Sequence, residues 1–303
     1  MRAASRALVL GIGGGGDVVG ALAAVRHCEA LGTPARLGGV AWERLPIDPK
    51  PGPRPVAEIT GGRRLGEHAV LADGRTTTSD GVLFSESHVA AHLGTETVLI
   101  DITAGAVGAA EGIAAATEEL DCDLVVLIDI GGDAIAAGDE PGLASPLCDS
   151  IMLAAGLRLC GRIPHEFAVL GAGCDGELEP EEVLGRVGAL AAAGAWSGTW
   201  SVTPEIADEV EAAAASTGTE ASLQVVRCAR GVTGEAEIRG GRRTVPLSPL
   251  GALAFCFAAE RAGPELPMAS RVVDSTSLEE AHEALTSSGI HTELAYERER
   301  VDS

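Results

Sequence analysis

The chain of 303 residues is 46% hydrophobic and 22% charged, enough for a full-size core and incompatible with bulk disorder. Its 44 acidic against 22 basic residues give a net charge of −22, a surface that repels a polyphosphate backbone and argues against nucleic-acid binding. No apolar run approaches the roughly 18 residues of a membrane helix, and the start of the chain turns to glycine after a short apolar stretch, so neither a membrane span nor a signal peptide is expected.

Strand and helix signals alternate along the chain. RALVLGI (6–12) reads as a buried strand running into glycines, followed by a helix over about 17–31 that stops at Gly32. A second strand at 35–41 precedes residues 42–85, which are Pro/Gly-rich and too long for a simple crossover. They read as an insertion lying over one end of the sheet. VLIDIT (98–103) and LVVLIDI (124–130) are continuous apolar runs of the kind buried on both faces of a parallel sheet, with a small-residue helix at 105–120 between them. EFAVLG (166–171) repeats the pattern. Pro180, Thr203-Pro204-Glu205 and Ser277 with Glu280 mark helix starts, and Gly240-Gly241 lies inside a hairpin over 235–246. VVDS (272–275) reads as a last short strand, and the tail over 291–303 as frayed. The alternation predicts one α/β domain over 1–290, Rossmann-like and doubly wound, with a mostly parallel sheet and an insertion after the second strand.

The sharpest motif is GIGGGGDVVGA (11–21), between a strand and a helix. Gly11, Gly13 and Gly16 have the GxGxxG spacing, and with Gly14 and Gly15 they let backbone approach an anion at a helix N-terminus. The plain alternative is a tight strand-to-helix turn. Lys50 is the one lysine and no GK[ST] motif occurs, which excludes a lysine-bearing phosphate loop. Asp17, directly after the last glycine, would repel a bare pyrophosphate. Either a divalent cation lies between them or Asp17 binds hydroxyls or an amine, and NAD(P) becomes the second choice.

Further acid-and-glycine loops fall at predicted strand ends, the rim where open α/β sheets bind ligands. They are Asp101-Ile-Thr103-Ala-Gly105, Asp129-Ile-Gly131-Gly132-Asp133 continuing to Gly138-Asp139-Glu140, and Gly171-Ala-Gly173-Cys174-Asp175-Gly176. Each acid alone is a common cap or turn former; clustered, they recruit Mg²⁺ or another hard cation. Ser145 and Pro146 start a helix that carries Asp149 one turn in and aims at the same rim. Glu86, His88 and His92 lie on a helical stretch with the imidazoles four apart, but a zinc site lacks its third ligand. Cys174 has no evident base partner and reads as a small buried residue. The seven cysteines are never spaced CxxC and read as reduced thiols of a cytoplasmic protein.

GGGGDVVGA, WERLPIDPKPGPRP (42–55) and IDIGGDAIAAGDEPGLASPLCDS (128–150) together resemble the archaeal and bacterial family called domain of unknown function eleven fifty-two. The resemblance implies a stand-alone domain with a metabolic role and assigns neither substrate nor catalytic residue. On the residues themselves, the chain reads as an enzyme acting on a small polar metabolite, phosphorylated or nucleotide-like, by metal- or carboxylate-assisted hydrolysis, elimination or group transfer. The candidate catalytic acids are Asp17, Asp101, Asp129 and Asp133; of these Asp17, Asp129 and Asp133 are the candidate metal ligands. The ligand-binding set adds Gly11, Gly13–Gly16, Thr103, Gly131, Gly132, Ser145, Glu86, His88 and Arg44, with Arg44 and Arg54 closing over the anion. A dinucleotide-dependent oxidoreductase and a non-catalytic ligand-binding protein are the alternatives, and a homo-oligomer is left open.

Overall fold

The computed structural model describes residues 4–45 and 47–302. The first half runs β1 (Ala7–Gly11), α1 (Asp17–Ala30), β2 (Ala35–Val40), β3 (Ile59–Thr60), β4 (Arg63–Arg64), β5 (Ala69–Ala72), β6 (Thr77–Thr78), α2 (Ser85–Leu93), β7 (Thr97–Ile100), α3 (Gly105–Glu119) and β8 (Leu124–Ile130). It continues with α4 (Pro146–Leu159), β9 (His165–Leu170), α5 (Pro180–Ala192), β10 (Trp196–Ser201), α6 (Pro204–Ala214) and α7 (Ala221–Ala229). The hairpin β11 (Gly234–Ile238) and β12 (Arg243–Leu247) follows, then β13 (Leu253–Ala258), α8 (Ala259–Ala262), α9 (Pro267–Val272), α10 (Leu278–Thr286) and α11 (Glu293–Asp302).

Among the described residues the main sheet has nine strands in the order β10-β13-β9-β8-β1-β2-β7-β5-β4. Its centre, β7-β2-β1-β8-β9, is parallel throughout, with antiparallel strands added at both edges. Counted within the centre, the order is 3-2-1-4-5, the Rossmann order, so the direction of winding reverses between β1 and β8.

The pleat of β1 shows why the sheet needs helices on both faces. Leu8 and Leu10 enter one core with residues of α3, α4, α5 and α9, while Ala7 and Val9 enter a second core with α1, α6 and α7. Because α1 follows β1 on one face and α4 follows β8 on the other, their N-termini separate and leave a crevice at the carboxyl ends of those two strands.

Three expectations need correction. The strand ending at Asp101 was expected beside those ending at Ile12 and Asp129; β2 stands between β7 and β1, so Asp101 lies away from the crevice. Residues 272–275 are not a strand: Pro267 opens α9, and Met268, Ala269 and Val272 bury one helical face. The tail is not frayed, because 293–302 form α11 with Leu294, Glu293 and Glu297 buried. Within 42–85, β4 and β5 extend the main sheet beyond β7. No described helix is long and apolar enough to cross a membrane.

Candidate active site

The crevice is a cleft of about 770 Å³ lined by Gly13–Gly16, Asp17, Asp129, Asp133, Asp149, Asp175 and Glu177, with Arg44, Ser145 and Arg239 among the other walls. Six of these acids form two groups. Oxygens of Asp17, Asp129 and Asp149 lie within 4.8 Å of one another, and so do oxygens of Asp133, Asp175 and Glu177. Asp133, expected with Asp17 and Asp129, therefore belongs to the neighbouring group, and Asp149 takes its place one turn into α4.

The two groups differ in how their oxygens are satisfied. Gly13 N–H donates to Oδ2 of Asp17 at 2.9 Å, and Gly132 N–H donates to Oδ2 of Asp129 at 2.8 Å. Oδ1 of Asp149 is buried without a hydrogen-bond partner among the described residues. Glu177 is instead saturated: it accepts from Ala144 N–H and Ser145 N–H at 2.8 Å each, from the Ser145 hydroxyl at 2.5 Å and from Arg239 at 3.1 Å. The first group has hard oxygens open for a cation; Glu177 spends its own on holding the entry to α4.

Protonation sets Glu177 apart from the other five acids, Asp133 included, all of which burial raises. Burial pushes Asp17 up to about 7 against the opposing pull of the Gly13 N–H and Arg44. Burial, reinforced by the charge of Asp17, raises Asp129 well above the carboxylate range, and burial with Asp129 and Asp17 does the same to Asp149. Burial and Glu177 lift Asp175 to about 7. Burial would raise Glu177 too, but the Ser145 hydroxyl, Arg239 and the two backbone donors bring it below its usual value.

The glycine loop is built largely by the protein's own packing. A Cβ at Gly11 would stand 2.6 Å from the backbone of Asp17, one at Gly13 2.6 Å from its carboxylate, and one at Gly16 2.4 Å from Thr219. The GxGxxG positions thus seat α1 and aim Asp17; of the four glycines of this loop that line the cleft, Gly14 and Gly15 are left-handed. Arg44 stacks on Trp42 at 4.1 Å and bonds to the Gly13 carbonyl and to Glu293 at 3.3 Å. Its Nη1 is buried and unpartnered among the described residues.

Other expected site residues lie elsewhere. Asp101 accepts from Val56 N–H and from the N–H and hydroxyl of Thr103, a closed loop motif away from the cleft lining. Gly131 and Gly132 pack on Asp175 and Val183 and do not face the cleft. Arg54 is buried in an ion pair with Asp48, so it does not close over an anion. His88 is half-buried and His92 exposed on α2, apart from the lining. Glu86 is buried behind β2 against Gly39, with both oxygens unpartnered among the described residues. Cys174 is buried, its thiol pushed up by a hydrogen bond with Cys228 and by burial.

Sequence reasoning missed Glu177, Arg239 and Glu293. Glu293 accepts from Leu147 N–H at 3.0 Å and Cys148 N–H at 2.8 Å, capping α4 in the role expected of Ser145. No local signal marks such long-range caps, although Glu177 directly follows the acid-and-glycine loop that ends at Gly176.

No curated protein and no solved structure matches the chain. A family model matches residues 8–301, nearly its whole length, and the chain belongs to that family, described as protein of unknown function (DUF1152).

Proposed function

We propose that the protein is an enzyme that holds a divalent cation at Asp17, Asp129 and Asp149 and acts on a small phosphorylated or nucleotide-like metabolite by hydrolysis, elimination or group transfer. The observation that carries this reading is Asp149, a buried carboxylate whose Oδ1 has no partner among the described residues while two further carboxylates stand within 4.8 Å. Such a group is costly unless something positive completes it. A bound Mg²⁺ would polarise a phosphoryl oxygen or activate a water. The chain's own contribution is positional: Gly13 N–H fixes Asp17 and Gly132 N–H fixes Asp129. Asp175, in the same cleft and titrating near 7, is the candidate general base.

The test is a thermal-shift and calorimetric titration with Mg²⁺ and Mn²⁺, followed by phosphate-release assays on nucleotides and sugar phosphates. Cation binding that disappears in Asp149→Asn is expected; a variant that binds as well as the parent would sink the reading. The Rossmann strand order favours a second reading, a dinucleotide-dependent oxidoreductase. Stabilisation by NAD(P) without a cation would favour it.

A further inference from the structure

In a chain of net charge −22, residues 239–243 read Arg-Gly-Gly-Arg-Arg and place three guanidinium groups at one turn. They form the tip of the β11–β12 hairpin, which pairs with no other strand among the described residues. Ala236, Ile238, Val245 and Leu247 anchor its inner face in the core beside α1, so the stem is fixed while Arg239, Arg242 and Arg243 overhang the acidic cleft.

Arg239 is held there against its backbone preference. Its φ of +53° lies in the left-handed region, where glycine or asparagine sits with less strain. Glu220 accepts its N–H at 2.7 Å, and its guanidinium reaches Glu177 at 3.1 Å. Glu177 does not depend on that contact, because Ala144 N–H, Ser145 N–H and the Ser145 hydroxyl already satisfy both its oxygens. The arginine can therefore exchange Glu177 for a ligand anion without leaving a buried carboxylate bare.

We propose that Arg239, flanked by Arg242, is the seat for a phosphoryl or pyrophosphoryl group of the substrate, in the same cleft as the cation ligands. This deepens the cation reading above and rests on it for the substrate's other end. The forked guanidinium matches two phosphate oxygens at once, and a dianion entering a cleft that holds two clusters of carboxylates needs compensating charge. Clustered arginines at the rim supply what the acid floor cannot.

Arg239→Gly makes the test clean, since it removes the guanidinium and the left-handed strain together. Its melting temperature is expected to stay close to that of the parent, relief of the left-handed strain offsetting the lost contact with Glu177. Calorimetry with Mg²⁺ alone should give the parent's affinity, while inorganic phosphate or pyrophosphate in the presence of Mg²⁺ should bind at least about tenfold more weakly. Arg239→Lys should fall between them. The stronger of the two anions in the parent tells a phosphomonoester seat from a phosphoanhydride seat. Equal anion affinity in Arg239→Gly, or no affinity of the parent for either anion, overturns the proposal. Should the parent fail to bind Mg²⁺, the cation reading falls by itself. The same comparison, made with metal-free pyrophosphate, then decides the arginine seat.

Discussion

Asp149 concentrates the energetic conflict of the site. Its side chain is almost wholly buried, one oxygen is unpartnered among the described residues, and burial with the charges of Asp129 and Asp17 raises its pKa well above the carboxylate range. Asp149→Asn keeps the shape and removes one of three crowded carboxylates. It should raise metal-free stability, because the unfolded chain then no longer ionises a group that the fold must hold protonated. The same variant should lose any stabilisation by Mg²⁺. Urea denaturation with and without the cation measures both, and a destabilised metal-free variant would mean that the carboxylate is satisfied within the fold. Gly13→Ala acts on the neighbouring ligand: its Cβ would fall 2.6 Å from Oδ2 of Asp17 and must turn that carboxylate away. Mg²⁺ affinity should drop by about tenfold or more, with the fold retained because the displaced group is a side chain rather than backbone.

At the scale of elements, α11 fastens three parts of the molecule. Glu293 caps α4 and pairs with Arg44, while Glu297 accepts from Trp42 Nε1 at 3.1 Å and Gly52 N–H at 2.8 Å. Glu293→Ala strips two buried N–H groups and one ion-pair partner, and should cost about 2 kcal/mol or more in chemical denaturation. Ser145→Ala, which the sequence alone marks as the cap loss, should leave the end of α4 capped; equal fraying of α4 in the two variants, read by hydrogen exchange, would contradict this assignment. The contrast shows what could be read from sequence. Continuous apolar runs announced β1, β7, β8 and β9, and Pro180 and Thr203-Pro204 announced α5 and α6, because those signals are local. Asp17, Asp129 and Asp149 were visible as acids after strands or in a first helical turn. Their grouping was not, since it depends on β2 standing between β1 and β7 and on α4 leaving β8 on the opposite face. Tail residues 293–302 looked frayed because their polar composition hides two carboxylates whose partners are 146 and 255 residues away.

Across the whole molecule, the reversal of winding between β1 and β8 gathers buried acid in a chain that already carries excess negative charge. Asp17 and Asp175 both titrate near 7 in the fold, far above an exposed aspartate, with burial as the leading cause. Raised carboxylate pKa values fix the sign of the pH dependence. The protonated forms favour the folded state, so their contribution is fully present below about pH 4, the unfolded value, and is lost as pH rises through about 7. Metal-free protein should therefore melt at progressively lower temperature from pH 5 to pH 8, while self-repulsion of the acidic surface adds a shallower trend of the same sign. Saturating Mg²⁺ should reverse the slope contributed by the site, because the cation binds the carboxylates that rising pH uncovers. Asp17→Asn tests the site's share: it should make the metal-free slope between pH 5 and pH 8 shallower and remove the Mg²⁺ effect, leaving the contributions of Asp175 and of the surface. A melting temperature that rises over this window in metal-free protein, or an Asp17→Asn variant with the parent's slope, would show that the acids of the cleft are already ionised and compensated within the fold.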